Sequence, residues 1–398
     1  MEGADASMRD VWIRGVSMTR FGKHLRRTGR ELAEEAVHGA LRDADLEPHH
    51  VQAAFVGNAV EGLMTGQESI RAQVVLRHTG LMGVPLVNVE NACATASTAL
   101  HLGWQAVAGG MHDHVLVLGW EKLCHEDRAR PLVALNASTD LTELADVFGG
   151  GGGPARSAFA ELYGAFATGS GEDRFSRESL ALVSVKNHRH GSLNPCVRYP
   201  RAVTLEEVLR SRQVAGQLTL LMCSMLSDGA ACILLSASPP PAGDPHVRIA
   251  ASALASGRGD DLRRPSGMQR AMRQASDAAG AGMEDMDVVE LHDATSVAEL
   301  ALYEELGLCA RGDAERLLRD EVTSLGGRVP VNTSGGMLAR GHPMGATGLA
   351  QVIELALQLQ RRCGPRQVPA ARMALAANAG GWVGSDVAAA CIHVLERS

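Results

Sequence analysis

The sequence is short of aromatic residues, which make up 3% of its 398 positions. A core cannot then rest on large rings. The 45% hydrophobic content and 44 glycines point instead to Ala, Val and Leu packed in close α/β layers. Basic residues are in deficit, with 38 Lys and Arg facing 45 Asp and Glu for a formal charge of −7. That balance argues against general nucleic-acid binding, which needs a basic face. The 15 histidines leave the charge near neutrality open. No Cys-x-x-Cys pair occurs among the eight scattered cysteines. The spacing therefore favours neither a zinc knuckle nor a secreted disulfide frame, and no metal-ligand set is expected. No run of about 18 apolar residues is present to span a bilayer. The opening Met-Glu-Gly-Ala-Asp-Ala-Ser lacks an apolar signal core, and the closing Leu-Glu-Arg-Ser carries no address. The expected setting is cytoplasmic and reducing, with no membrane and no nucleic-acid partner.

What is present is a regular alternation. After a loose leader over residues 1–10, residues 11–16, 52–57, 84–89 and 114–119 read as strands, with helical spacing over 30–45 and 69–79. Such alternation means a mostly parallel, layered α/β body. From 121 to 216 the texture changes. This stretch holds residues 141–146, a five-glycine run at 149–153, two helical segments and the polar Lys186-Asn187-His188-Arg189-His190-Gly191. It reads as an insertion folded over the body, and loop-rich insertions are where substrate contacts often lie. The glycine run fits no phosphate-loop template, because no Gly-Lys-Ser/Thr follows it. A flexible or tightly turning connection is the expectation there.

Asp228-Gly229 leads into a strand over 230–236, and the proline-rich 239–245 is a linker. A second α/β series then runs from Val247, with helices over 268–279, 296–306 and 347–360 and strands over 288–291, 372–376 and 387–394. The two halves match in pattern. Val87-Asn88 precedes Cys93 and its helix, and Val331-Asn332 precedes His342 and a helix that also opens with small residues. The expected domains are 8–120 with 217–240 as the N-terminal half, 121–216 as the insertion, and 246–398 as the C-terminal half. A pseudo-duplicated αβαβα body of this kind brings the two helix starts towards each other.

Four stretches could carry chemistry. In Val87-Asn88-Val89-Glu90-Asn91-Ala92-Cys93-Ala94-Thr95-Ala96-Ser97, a β-branched run ends in a polar turn, a cysteine and an apolar helix. Unpaired N–H groups and the helix dipole favour a thiolate there, so the pKa is expected below the free value of about 8.5. The alternative is a small apolar core residue. His292, in Leu291-His292-Asp293-Ala294-Thr295, follows a buried strand, where ligands bind in open α/β sheets; otherwise it is a satisfied polar residue near the core. In Gly341-His342-Pro343-Met344-Gly345-Ala346-Thr347-Gly348, glycines permit close backbone approach and the proline suits a first helical turn. Asn378-Ala379-Gly380-Gly381-Trp382-Val383-Gly384 reads as a glycine turn between strands. It could present N–H groups to an oxyanion, or be a hairpin and no more. Together these stretches supply a nucleophile, a base, a second histidine and N–H donors, the kit for acyl transfer through a cysteine thioester.

These residues also carry a resemblance. The chain resembles the thiolases, specifically the sterol-carrier-protein type and its bacterial thiolase-like relatives, over nearly its whole length. The resemblance runs from Gly15-Val16-Ser17-Met18-Thr19-Arg20-Phe21-Gly22 through Lys186-Asn187-His188-Arg189, Ser192-Leu193-Asn194-Pro195 and Ser227-Asp228-Gly229-Ala230. It continues in Asn332-Thr333-Ser334-Gly335-Gly336 and Gly341-His342-Pro343. It implies a thiolase fold, with duplicated βαβαβαββ halves in a five-layer αβαβα body and an inserted loop domain covering coenzyme A. It implies that Cys93 accepts an acyl group from an acyl-CoA, that His342 activates Cys93 and helps bind the thioester oxygen, and that His292 belongs to the oxyanion site of the second substrate or enolate. The backbone N–H groups of Cys93 and Gly380 would form the hole for the acyl-enzyme carbonyl. Coenzyme A thioester enters as substrate, with no cofactor held permanently. A homodimer or dimer of dimers is implied, as is a small OB-fold/zinc-ribbon partner protein.

Two departures narrow the chemistry. Thiolases that form carbon–carbon bonds use a second acid/base at the α-carbon, commonly a cysteine. In the sterol-carrier type it follows His-Asp, as His-Asp-Cys-Phe; here the sequence is His292-Asp293-Ala294-Thr295. Elsewhere in the superfamily that cysteine opens the C-terminal glycine turn, where this chain has Asn378. Ala294, Thr295 and Asn378 are therefore expected in the substrate pocket, widened on that side. Alanine and a neutral amide cannot relay a proton, and such relay is worth about 10²–10⁴ in rate. Either His292 or Asp293 shuttles the proton, or the acceptor needs no α-deprotonation, as with an activated ring carbon, an amine or an alcohol. The preferred reading is an acyltransferase that loads Cys93 and passes the acyl group to a carbon nucleophile, or the reverse. A CoA-thioester aldolase or lyase and a non-catalytic subunit of a two-protein complex are the alternatives.

Overall fold

The structure, a computed structural model, describes residues 8–144, 156–168, 173–241, 245–259 and 261–398. The glycine run at 149–153, residues 1–7 of the leader, and 242–244 of the proline-rich linker lie outside the described residues. The strands in chain order are β1 (Trp12–Met18), β2 (Ala53–Gly57), β3 (Leu86–Val89), β4 (His114–Glu121), β5 (Gln213–Ala215), β6 (Leu218–Thr219), β7 (Gly229–Ser236), β8 (Val247–Ser256), β9 (Val288–Glu290), β10 (Met373–Val383) and β11 (Asp386–Arg397). The helices that bear on the site are α1 (Gly29–Asp43), α2 (Thr95–Ala108), α3 (Ala158–Thr168), α4 (Arg177–Gly191), α5 (Gly267–Ala279), α6 (Ser296–Glu305), α7 (Gly336–Arg340) and α8 (Met344–Leu359).

Among the described residues, nine strands form one sheet in the order β3-β2-β4-β7-β1-β8-β11-β10-β9. Read outward from its centre, β1-β7-β4-β2-β3 on one side is matched by β8-β11-β10-β9 on the other. The place of a fifth strand in the second half is taken by the single bridge Val289↔Val331. The repeat visible in the sequence is thus a repeat of strand order. The halves join where β1 meets β8, through the pair Trp12↔Arg248. β7 is buried along its whole length and β4 in all but its first residue, as strands covered on both faces must be.

Layering follows from which faces the helices bury. α1 opens with a Thr28/Glu31 capping box and lays Leu32, Ala36, Val37 and Ala40 on the outer face of the first half. α5 opens with a Ser266/Gln269 capping box and covers β8 and β11 on the far side. α2 and α8 pack on each other and on both halves of the sheet. They are buried almost all round, the mark of helices inside a layered body rather than on it. The order α1, first half, α2 with α8, second half, α5 makes five layers.

Two local expectations change. Residues 378–383 are not a turn; they continue β10, paired with β11 through Asn378↔Cys391, Gly380↔Ala389 and Val383↔Asp386. Glycines mask the strand because they carry no side-chain alternation to read. Residues 329–332, which continue the second α/β series in sequence between the helix at 296–306 and that at 347–360, do not extend as a strand, because Asn332 adopts φ +56°. Its side chain replaces the missing ladder, with Oδ1 accepting from the Leu291 N–H at 2.8 Å.

The segment between β4 and β7 is tied down at its neck and at α4. At the neck, the Asp228 carboxylate accepts from the N–H groups of His24, Leu123 and Cys124 and from Lys122 Nζ, all within 2.9 Å. On α4, Lys186 Nζ meets Glu299 of α6 at 2.6 Å, and Asn187 Nδ2 donates to Glu299 at 2.7 Å and Asp293 at 2.9 Å. These groups are buried, so removing one partner leaves a desolvated charge or donor unsatisfied.

The middle layer depends on one close approach. A Cβ at Gly119 of β4 would lie 2.3 Å from the Gly345 carbonyl oxygen and 2.9 Å from Ala96 Cβ, where α8 and α2 converge. Gly119→Ala should therefore destabilise the fold by about 1–3 kcal/mol. This is read as a fall in the thermal unfolding midpoint; an unchanged midpoint would contradict the packing described.

Candidate active site

Cys93 sits in the short 3-10 turn Ala92–Ala94 that joins β3 to α2. Ala92 takes φ +49°, a strained conformation for a residue with a Cβ. Thr95 holds the turn in place, its Oγ1 accepting from the Asn91 N–H at 2.8 Å and donating to the Ala92 carbonyl at 2.6 Å. β10 crosses directly over it. A Cβ on Gly380 would lie 2.2 Å from the Asn91 carbonyl oxygen and 2.5 Å from the Ala94 nitrogen. Glycine is therefore required at Gly380 for the strand to reach the cysteine.

His342 arrives from the second half, at the start of α8. Its Nε2 lies 3.2 Å from Cys93 Sγ, and its Nδ1 lies 2.7 Å from Thr347 Oγ1. The Thr347 hydroxyl donates to the Pro343 carbonyl at 3.0 Å. It is thus left to accept from Nδ1–H, which turns the lone pair of Nε2 towards the thiol. The Glu121 carboxylate accepts from the N–H groups of Ala59, Val60 and Gly345 and from Asn58 Nδ2. It thereby ties the first turn of α8 to the loop after β2.

His292 lies just beyond β9, its ring centroid 5.7 Å from that of His342. Asn378 Nδ2 donates to His292 Nδ1 at 3.1 Å, so the neutral ring carries its proton on Nε2. The ligand atoms of Cys93, His292 and His342 lie within 4.8 Å of one another, a set that could hold a metal ion. In the arrangement described, His292 offers an N–H rather than a lone pair, which suits an oxyanion and not a cation.

Burial sets the protonation states. The Cys93 thiol is pushed up to about 12, first by burial and then by the Glu121 carboxylate, against the opposing pull of the Gly381 and Cys93 N–H groups. This corrects the expectation of a lowered pKa. α2 begins at Thr95, beyond the cysteine, and removal from water outweighs the amides that point at the sulfur. Burial also pushes His292 down to about 3 and His342 well below its usual range, the latter further lowered by His292 and Arg340. Desolvation raises Glu121 to about 7 despite its amide partners. The resting pair is a neutral thiol beside a neutral imidazole.

A cavity of ≈ 730 Å³ opens onto Cys93, His292, His342, Ala294, Thr295 and Gly380. Leu132, Leu135 and Phe159 line it, along with Arg198 and Arg212. Asn378 was expected in its wall and instead stands behind His292, fully buried. The β10 alternation turns its side chain away while Ala379 faces the cavity. The Asp293 carboxylate accepts from the Met337 and Leu338 N–H groups at the start of α7. That is a positioning task, and Asp293 is not on the cavity wall. The polar run Lys186–His190 also lies away from the cavity. His190 Nδ1 is 3.1 Å from the Asn332 carbonyl, and its Nε2 accepts from the Leu325 N–H at 3.0 Å. Sequence reasoning missed Thr347, although it stands in the His342 motif. It also missed Glu121, Tyr163 and Cys223, which no motif marked. Tyr163 of α3 and Cys223 line the same cavity, the latter with its thiol directed at the Thr219 carbonyl.

Comparison with known proteins agrees with this geometry. Residues 11–238 match the family model for the thiolase N-terminal domain, and residues 250–397 match the thiolase C-terminal domain-like model. The acetyl-CoA acetyltransferase of Methanothermobacter thermautotrophicus is 37% identical over 98% of this chain and all of its own length. The benzoylsuccinyl-CoA thiolase subunit BbsB of Thauera aromatica is 34% identical over 94% of this chain and 95% of its own. Among solved structures, an Ltp2-ChsH2(DUF35) aldolase superimposes with a TM-score of 0.79 at 23% identity, covering 98% of each chain. The chain belongs to the thiolase family and has the thiolase fold. Within that family it is a thiolase-type acyltransferase acting on CoA thioesters.

Two measurements probe this site. The ultraviolet thiolate signal of the wild type, taken against Cys93→Ser, should be near zero at neutral pH, because the thiol is raised and the histidine lowered. A strong signal would mean a resting ion pair. Thr347→Val should slow acylation of Cys93 by about 10- to 100-fold, the scale of losing the orienting partner of a functional imidazole. An unchanged rate would remove Thr347 from the site.

Proposed function

We propose that Cys93 is the acyl carrier, and the 3.2 Å contact between its sulfur and His342 Nε2 is the observation that supports this most directly. The thiol proton passes to Nε2 as the sulfur attacks the thioester carbonyl of an acyl-CoA. The amides that point at the sulfur, those of Cys93 and Gly381, take the charge that develops on oxygen, with Gly380, expected in this role, beside them on the cavity wall. The carbon–sulfur bond to coenzyme A breaks, and its thiolate leaves with the proton from His342. Since neither charged form is stable at rest, proton transfer accompanies attack rather than preceding it.

The second half-reaction has fewer groups to draw on. Cys223 is pushed up to about 12 by burial, and Tyr163 is also pushed up, first by burial. His342, neutral again once coenzyme A has left, is the base within reach of an acceptor α-proton. The Nε2–H of His292 stabilises the enolate oxygen. The new carbon–carbon bond forms as the bond to Cys93 breaks, and His342 returns its proton to the sulfur. Thiolysis is the same path reversed. A second reading rests on Ala294, which faces the cavity where the sterol-carrier type has a cysteine. An acceptor that is already nucleophilic would need no such group.

The segment 121–216 serves as the cover over coenzyme A in this reading, between the N-terminal half (8–120 with 217–240) and the C-terminal half (246–398). The working form is a homodimer or dimer of dimers in the cytoplasm. A small OB-fold/zinc-ribbon partner is supported by the pairing of Ltp2 with ChsH2(DUF35) in the name of the aldolase and by the word subunit in the Thauera relative's name. Among the described residues no helix is long and apolar enough to cross a membrane.

Intact-mass measurement with a panel of acyl-CoAs should show a single acyl adduct that Cys93→Ala abolishes. Loading of Cys93→Ala, or no loading of the wild type, would overturn the assignment. Ala294→Cys should raise acetoacetyl-CoA thiolysis by about 10²-fold, the lower end of what a general acid/base contributes. No gain would show that the missing thiol is not what limits the reaction.

A further inference from the structure

A second cavity, of ≈ 370 Å³, lies on the other side of His292. Tyr163, His292, Ala379 and Val387 face both cavities, so the two meet at the reaction centre. Its inner wall is apolar, built from Met268, Ala298, Ala301 and Leu302 with Trp382, whose ring meets Tyr163 edge-on at 5.9 Å. Its outer part is charged, and the charges are unevenly satisfied. Arg174 is paired with Glu304 at 2.9 Å. The Asp386 carboxylate accepts from the N–H groups of Arg258, Gly267 and Val387. Glu305 is bonded by the Ser266 hydroxyl.

Two cations make no ion pair among the described residues, although Arg258 lies close enough to Glu305 to oppose the rise that burial imposes on its carboxyl pKa. Arg258 Nε is buried without a hydrogen-bond partner among the described residues, and its Nη1 reaches only the Arg264 carbonyl at 3.4 Å. Arg311, exposed at the rim, forms no ion pair among the described residues. An apolar channel that starts beside His292 and ends at two guanidinium groups with no ion pair or hydrogen-bonded carboxylate among the described residues has the chemistry of a site for an apolar chain with a terminal anion. Guanidinium groups favour carboxylates, which they bind with paired, charge-assisted hydrogen bonds.

We propose that this cavity holds the acyl chain distal to Cys93 and selects CoA thioesters whose acyl group ends in a second carboxylate, recognised by Arg258 and Arg311. This rests on the reading of Cys93 as acyl carrier. The cavity lined by Arg198 and Arg212 then keeps the coenzyme A end, and the thioester carbonyl lies where the two cavities meet. Loading forms the Cys93–acyl bond, breaks the bond to coenzyme A and releases its protonated thiol. The distal carboxylate stays unchanged.

The test is competition between adipoyl-CoA and hexanoyl-CoA, equal in carbon number and differing at the far end, with Cys93 loading followed by intact mass. The wild type should favour adipoyl by about 10- to 100-fold, the span expected of hydrogen bonds to a charged group. The ratio should fall towards one in Arg258→Met and part of the way in Arg311→Gln. Both rates come from one sample, so partial misfolding of a variant cancels from its ratio. A wild-type ratio at or below one, or a ratio that neither substitution changes, overturns the proposal while hexanoyl loading preserves the acyl-carrier reading. Failure of both thioesters to load overturns that reading and this one with it.

Discussion

The contact between Cys93 and His342 joins residues 249 positions apart in the chain, and much of the architecture serves to make it. Neither half holds the pair alone. α2 delivers the cysteine and α8 the histidine, and the two helices pack on each other between the halves of the sheet. Their separation at the catalytic end is set by residues without side chains. Gly119 lets β4 touch both helices, and Gly380 lets β10 cross over the cysteine turn. Glu121 then fixes the longitudinal position of α8 through the Gly345 N–H. Errors of a few tenths of an ångström at these points would pass directly into the sulfur–nitrogen distance.

Desolvation gives the site its chemical character. A thiol, two imidazoles and a carboxylate are all buried, and all are pushed towards their neutral forms. Hydrogen bonds then decide what neutral groups can do. Thr347 points a lone pair of His342 at the sulfur, and Asn378 points an N–H of His292 into the cavity. The same kind of side chain thus acts as a base on one wall and as an anion-stabilising donor on the other. Asn378 serves by orienting its neighbour rather than by exchanging protons.

Much of this was legible in the sequence because it is written in short, local patterns. The small-residue helix after Cys93 and the glycines around His342 identify both helix starts, and repetition of the strand–helix pattern gives the layered body. What was not legible depends on distance or solvent. The thiol pKa was misjudged because burial, a tertiary quantity, outweighs a local helix terminus. Asn378 was misplaced because β10 runs through glycines with no alternation to show which face is which. Asp293 sits one residue from His292 and yet caps α7, and the conspicuous Lys186–His190 run belongs to the scaffold. Thr347 and Glu121 emerge only when the halves are brought together. Motif reading finds the groups that react, but it does not find what orients them.

The protonated state of Cys93 has a consequence beyond acyl transfer. Peroxide and other soft oxidants attack thiolates, and they do so fastest where the thiolate is exposed. A buried thiol raised to about 12 offers them almost no reactive form. The sulfur becomes nucleophilic when a thioester carbonyl is beside it and the amides can receive charge. The same burial that keeps the resting nucleophile in its less oxidisable, protonated form makes it depend on its substrate for activation.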